Sequence, residues 1–251
     1  VNDRTAAALL VDAAESSLAE VADDLQLLAL LHNAEPGPEL LGALRRRPFA
    51  ECFALRLSSP EARAALATID AALAVMPDPV DAQTCDGLAV DFAAIYLTCA
   101  RRMAPTESYW LTEDHIERQE PMFAVRRWYE HYALVARDWR QRPDDHLVLQ
   151  LEFVAALLRD GRDFALRDAA RFLDRHLLVW SRDFFAAVAA RAETGFYAGL
   201  AQLTQAHLDA TRDLLQVASG EVRAACPAAR PAVEVPAAQA APYVPGVEPG
   251  W

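Results

Sequence analysis

Residues 142–161 read RPDDHLVLQLEFVAALLRDG. The reading of this stretch decides the fold. From Leu147 onward it is an apolar helical run long enough to be a helix rather than a buried strand. Pro143 restricts the backbone that approaches it. Asp144 or Asp145 is placed to cap the free N–H groups of its first turn. His146 falls in that turn, where the helix dipole disfavours its protonation and a neighbouring Asp favours it. Gly161 supplies the left-handed stop. The spacing therefore predicts a helix over 144–158, closed at 161.

The same grammar repeats outward in both directions. Thr5 to Leu31 reads as one long amphipathic helix, with Leu10, Ala14, Leu18, Val21, Leu25 and Leu28 on one stripe. Glu35-Pro36-Gly37-Pro38 stops it, and a short helix is expected over 39–46. Ser58-Ser59-Pro60-Glu61 is a helix start, with a Ser cap and Pro in the first turn, opening a helix to about Met76. Further helices are expected over 85–102, from Pro121 to Ala136, over 163–174, over 177–191, and from Thr194 to Val217 with Gly220 as the stop. β-branched residues are scattered, and no hairpin turn lies between alternating runs. The fold class is all-α: a single bundle of roughly eight to eleven helices. A boundary near 103–120 can divide two lobes, and one continuous bundle fits equally.

From Cys226 the composition changes to CPAARPAVEVPAAQAAPYVPGVEPGW, rich in Pro and Ala with no helical period. Residues 1–225 are read as the helical domain and 226–251 as an extended or disordered tail. The same composition also suits a docking segment.

Composition excludes several function classes. The net charge is −12, which argues against nucleic acid, because phosphate contacts need a basic surface. It suits either simple solubility or a basic partner. All 24 basic residues are Arg, so a phosphate-loop Lys, a Schiff-base Lys and a Ser-Lys dyad are absent. Cys52, Cys85, Cys99 and Cys226 form no C-x-x-C pair, and single cysteines in helical segments suit a reducing compartment as small buried residues. The N-terminal VNDRTAAALLVDAAES lacks a basic region followed by an apolar one, and no run of about 18 apolar residues occurs. A cytoplasmic location without membrane insertion is expected.

The chemical motifs are equally sparse. There is no Glu-x-x-His, no His-Glu-x-x-His, no G-x-G-x-x-G and no Gly-x-Ser-x-Gly. Neither a metal nor a cofactor is expected. The leading enzymatic alternative is a helical metal-dependent hydrolase built on Asp145 and His146, and the 36 Asp and Glu residues leave an acid–base carboxylate pair open. A second segment, DFAAIYLTCARRMAPTESYW over 91–110, offers Phe92, Ile95, Tyr96 and Trp110 for an apolar groove. Pro105 fixes a turn there, with Glu107 and Ser108 as acceptors beside it.

In order and spacing the two segments resemble the TorD/DmsD/NarJ family of redox-enzyme maturation chaperones. The aromatic helix end followed by Pro, Ser and an aromatic is carried by Tyr96, Leu97, Pro105, Ser108 and Trp110. The Asp-His element before a Leu- and Phe-rich helix is carried by Pro143, Asp144, Asp145 and His146. Gln119-Glu120-Pro121, His176-Leu177-Leu178-Val179-Trp180 and Phe196-Tyr197-Ala198-Gly199-Leu200-Ala201 extend the likeness over about 25–215. Two departures stand out: Val179 in place of a Pro, which touches a local turn, and Thr98-Cys99 where Gly-Pro or Gly-Ala is common.

The resemblance implies a non-catalytic chaperone, monomeric or homodimeric. It would bind the twin-arginine signal peptide or the apo form of a molybdopterin oxidoreductase catalytic subunit, assist cofactor insertion and prevent premature export. It further implies peptide-binding roles for Tyr96, Leu97, Pro105, Glu107, Ser108, Trp110, Pro143, Asp145 and His146. The carboxylates would accept guanidinium hydrogen bonds, and the aromatics would bury the apolar stretch.

Overall fold

The computed structural model describes residues 18–98, 103–137 and 140–223. The expected stretch 5–17 of the first helix, residues 99–102 of the fourth, and the tail from 226 lie outside the described residues. Among those described, the chain is all-helical, with no strand and one isolated antiparallel bridge between Thr106 and His146. No described helix is long and apolar enough to cross a membrane.

The helices run α1 (Leu18–Asn33), α2 (Pro38–Leu44), α3 (Pro60–Ala74), α4 (Ala82–Phe92), α5 (Glu107–Leu111), α6 (Glu120–His131), α7 (Leu147–Asp160), α8 (Asp163–Phe172), α9 (Leu178–Arg191) and α10 (Gly195–Ser219). A 3₁₀ turn spans Phe49–Cys52. Two π-helical turns, Ala93–Leu97 and Leu173–Leu177, extend α4 and join α8 to α9.

α7 is the central element. Leu147, Val148, Leu151, Val154 and Ala155 are fully buried, and buried residues lie on several sides of the helix, which is why its sequence is almost continuously apolar. It packs on α1 and α8, while α10 packs on α3, α8 and α9. The α3–α10 contact depends on Gly199. A Cβ built there would lie 2.6 Å from Ile69 Cγ1 and 3.0 Å from the Ala65 carbonyl oxygen. Glycine therefore lets the two helix backbones approach to a distance that a methyl group would prevent.

Several predicted ends are found. Ser59 caps α3, its Oγ accepting from the Ala62 N–H. Gly161 and Gly220 close α7 and α10 with φ of +67° and +71°. Others differ. α6 stops at His131 rather than Ala136, because Ala133 takes φ +53° and the Leu134 N–H turns back to the Tyr129 carbonyl. The helices expected over 163–174 and 177–191 join through the second π turn, and Val179 lies inside α9 without breaking it. Cys52 and Cys85, expected to be buried, are half-buried.

Candidate functional site

The largest correction concerns the helix start that opened the sequence reading. His146, not an aspartate, is the N-cap of α7, and its Nδ1 accepts from the Val148 N–H at 3.2 Å. Asp145 instead caps a different helix. Its Oδ2 accepts from the backbone N–H of Ser108 at 2.7 Å and from the Ser108 hydroxyl at 2.5 Å, satisfying the first turn of α5 from 37 residues away. Asp144 also leaves the helix end. Its Oδ2 accepts from Nε and Nη2 of Arg126 on α6, at 2.8 and 2.6 Å. Its carbonyl takes the Tyr129 hydroxyl proton at 2.9 Å.

Backbone bonds complete the junction. The Leu147 N–H donates to the Pro105 carbonyl at 2.8 Å, and the Glu107 N–H donates to the Asp145 carbonyl at 3.1 Å. These two bonds flank the Thr106–His146 bridge. The two signature segments, separate in sequence, are thus one clamp. The Ser108 Oγ also accepts from the Gln119 N–H, which ties in the connection before α6.

Beneath the clamp lies a buried polar chain. Gln150 Nε2 donates to Glu107 Oε2 and to the Asp145 carbonyl, both at 3.0 Å. His176 Nδ1 lies 3.0 Å from Glu107 Oε1, brought there by the second π turn. Burial pushes the Glu107 carboxyl above the usual range, against the opposing pull of His176 and Gln150. Burial likewise raises Asp145, opposed by its bonds to Ser108. Asp145 Oδ1 and Gln150 Oε1 are buried without a hydrogen-bond partner.

The aromatic half of the site forms around Tyr96, carried by the first π turn. Its hydroxyl lies 2.6 Å from His32 Nδ1, and His32 Nε2 lies 2.9 Å from Thr204 Oγ1. Thr204 spends its own proton on the Leu200 carbonyl at 2.7 Å. His32 Nε2 must therefore carry the proton toward Thr204, and Nδ1 must accept from Tyr96. Burial holds His32 neutral, its pKa lowered to about 3. Burial also lowers His146 to about 3, with Arg142 and His32 adding repulsion. Tyr96 and Trp110 converge on Phe184, with ring centroids 6.4 and 6.1 Å away.

Of the residues singled out by sequence, Pro105, Glu107, Ser108, Pro143 and Asp145 are buried in the clamp, and Tyr96 lies in the core beside it. Glu107 and Asp145 spend their carboxylates inward, so a guanidinium from outside meets neither without opening the clamp. Leu97 is 64% exposed and Trp110 half-buried, its indole N–H donating to the Ala104 carbonyl. These two, with the half-buried His146, are the accessible members. His32, Arg126, Gln150 and the α9 residue Phe184 were missed by sequence reasoning. The one signal for His32 was a histidine four residues after Leu28 on an apolar stripe. Among the described residues no group of three or more His, Cys, Asp or Glu is arranged to hold a metal ion. Asp145 and His146 point to different partners rather than to a common centre.

The described chain is thus an all-helical fold whose two signature segments close into one clamp, with an apolar residue and an indole left at its edge. A family model described as nitrate reductase delta subunit matches residues 56–186, more than half of the chain and the whole of the clamp. The chain belongs to that family, the NarJ/TorD family. It is similar to the chaperone protein TorD of Vibrio vulnificus, 30% identical over 135 residues, which is 50% of this chain and 62% of the relative. It is similar to the selenate reductase assembly chaperone protein of Thauera selenatis, 42% identical over 93 residues, 32% of this chain and 48% of the relative. The chaperone protein TorD of Salmonella arizonae is 28% identical over 201 residues, 77% of this chain and 91% of the relative. The chain thus spans about three fifths and about half of the first two relatives' lengths.

Proposed function

We propose that this protein is a cytoplasmic, non-catalytic maturation chaperone for the catalytic subunit of a molybdopterin-dependent oxidoreductase. It binds that subunit's apo form, its twin-arginine signal peptide, or both, until the cofactor is inserted. The observation that carries the reading is the clamp, which makes one structural unit of the two segments through which the chain resembles its family. The names of its relatives, chaperone and reductase assembly chaperone, support the same class.

In this reading the buried residues position the surface and do not themselves meet the peptide. Asp145, Ser108 and the Pro105–Leu147 bond fix α5 and with it Trp110. Leu97 and Trp110 bury part of the peptide's apolar stretch, as in a helix-in-groove complex. The net charge of −12 favours approach of the paired arginines over distances comparable to the Debye length.

The test is a calorimetric titration of the full chain with a synthetic peptide bearing two adjacent arginines and then an apolar stretch. Saturable binding by the native chain is expected. No binding by the native chain contradicts the signal-peptide part of the proposal.

A further inference from the structure

A capacious opening lies away from the clamp. It is a groove of about 1240 Å³ between the segment leading into α3, the outer face of α9, and α10. Leu57, Phe185 and Leu214 give it apolar lining, and Ala186, Ala190 and Ala206 line it with small side chains. Alanine at three lining positions leaves a channel that a slender, extended segment can enter. Its walls are fixed from below, since buried Asp24 accepts the Ala54 and Leu55 N–H groups, both at 2.8 Å.

The chain itself arrives at this groove. Gly220 closes α10 with a positive φ, and the chain then reverses. The Arg223 N–H donates to Gln216 Oε1 at 3.1 Å. The Arg223 guanidinium reaches Asp209 at 2.6 Å and Asp213 at 3.4 Å. Asp209 and Asp213 both line the groove, so Arg223, the last described residue, holds its side chain at the groove's rim.

The next part of the chain is chemically suited to the channel. Residues 226–236 read CPAARPAVEVP, mostly small and apolar, with prolines at 227, 231 and 236. Prolines hold a segment in the polyproline II form, which loses little entropy on docking against an apolar surface. The length also fits. The groove runs along α10 from Gln202 to Val217, roughly 23 Å at 1.5 Å per residue. An extended segment at ~3.1 Å per residue crosses that in about eight residues. Arg230 is the only basic residue in 224–251, and Glu61 on the groove's rim makes no ion pair among the described residues.

We infer that a segment within 226–236 of the same chain lies in this groove, shielding its apolar lining from water and from other apolar chains. This does not depend on the chaperone reading. The experiment places the photoreactive residue benzoylphenylalanine at exposed Ala186 in the groove lining of the full chain, and separately at exposed Ala71, in another hollow beside α3. After irradiation, adducts are mapped by peptide mass spectrometry, with circular dichroism confirming that both variants are folded. The expected result is an intramolecular adduct from position 186 to a peptide within 226–236, absent from position 71. No tail adduct, equal adducts from both positions, an adduct with residues 1–17, or one only between two chains would each overturn the inference.

Discussion

Acidification should destabilise this protein through His32 by an amount that can be worked out beforehand. His32 is fully enclosed, between the Tyr96 hydroxyl, Thr204 and the Phe185 ring, and it in turn disfavours protonation of His146. Its pKa is about 3 when folded and 6.5 in an ordinary environment. Because the folded value is depressed, the unfolded chain binds the proton first as pH falls. Stability from this group is complete above pH 6.5 and is lost progressively toward pH 3. At pH 5 the loss is about 2 kcal/mol, from 1.36 kcal/mol per pH unit over the interval below 6.5. The assay is urea unfolding of the native chain and of His32→Gln, each at pH 7 and pH 5. Titrating groups distant from His32 act in both proteins and cancel, and the repulsion with His146 is not expressed at pH 5, where both rings are neutral in the folded chain. The native chain should lose about 2 kcal/mol more than the variant on acidification. Equal losses would refute the assignment of His32 as a neutral bridge held by burial.

The packing sets three further outcomes. Gly199→Ala forces a Cβ to within 3.0 Å of the Ala65 carbonyl and closer still to Ile69, and should cost about 1–3 kcal/mol in urea unfolding. Asp145→Ala strands the buried Ser108 N–H and hydroxyl and should cost about 2–4 kcal/mol, while Asp145→Asn, which keeps an acceptor, should cost less. The reverse order would show that the clamp does not rest on this cap. Leu97→Ser should leave unfolding within about 0.5 kcal/mol of native. The same change should weaken binding of the twin-arginine peptide by about 30-fold, the equivalent of a ~2 kcal/mol hot spot. Unchanged affinity would move the binding surface elsewhere.

The fold was legible where the chemistry is local. Ser59, Gly161 and Gly220 each act on residues within one turn, and each ends or starts a helix as its type demands. The apolar run of α7 announced a buried helix because nearly every side of it is covered. The site was less legible, for a physical reason. An aspartate before a helix ordinarily caps that helix, and nothing in RPDDHL reveals that Asp145 caps a second helix 37 residues away. The π turns that carry Tyr96 and His176 have the same composition as ordinary helix. Ala133 takes a positive φ with no glycine or asparagine to mark it. The residues of the resemblance were found by their order in the chain. Their division into a buried clamp and an accessible edge depends on long-range pairing.

The central claim is tested most directly by affinity capture of the tagged full chain from the cytoplasm of cells that make molybdopterin-dependent oxidoreductases, with mass spectrometry of the captured proteins. The account predicts recovery of one such catalytic subunit in its precursor form, with the signal peptide still attached. Capture of no such subunit, from cells shown to contain it, would contradict the account.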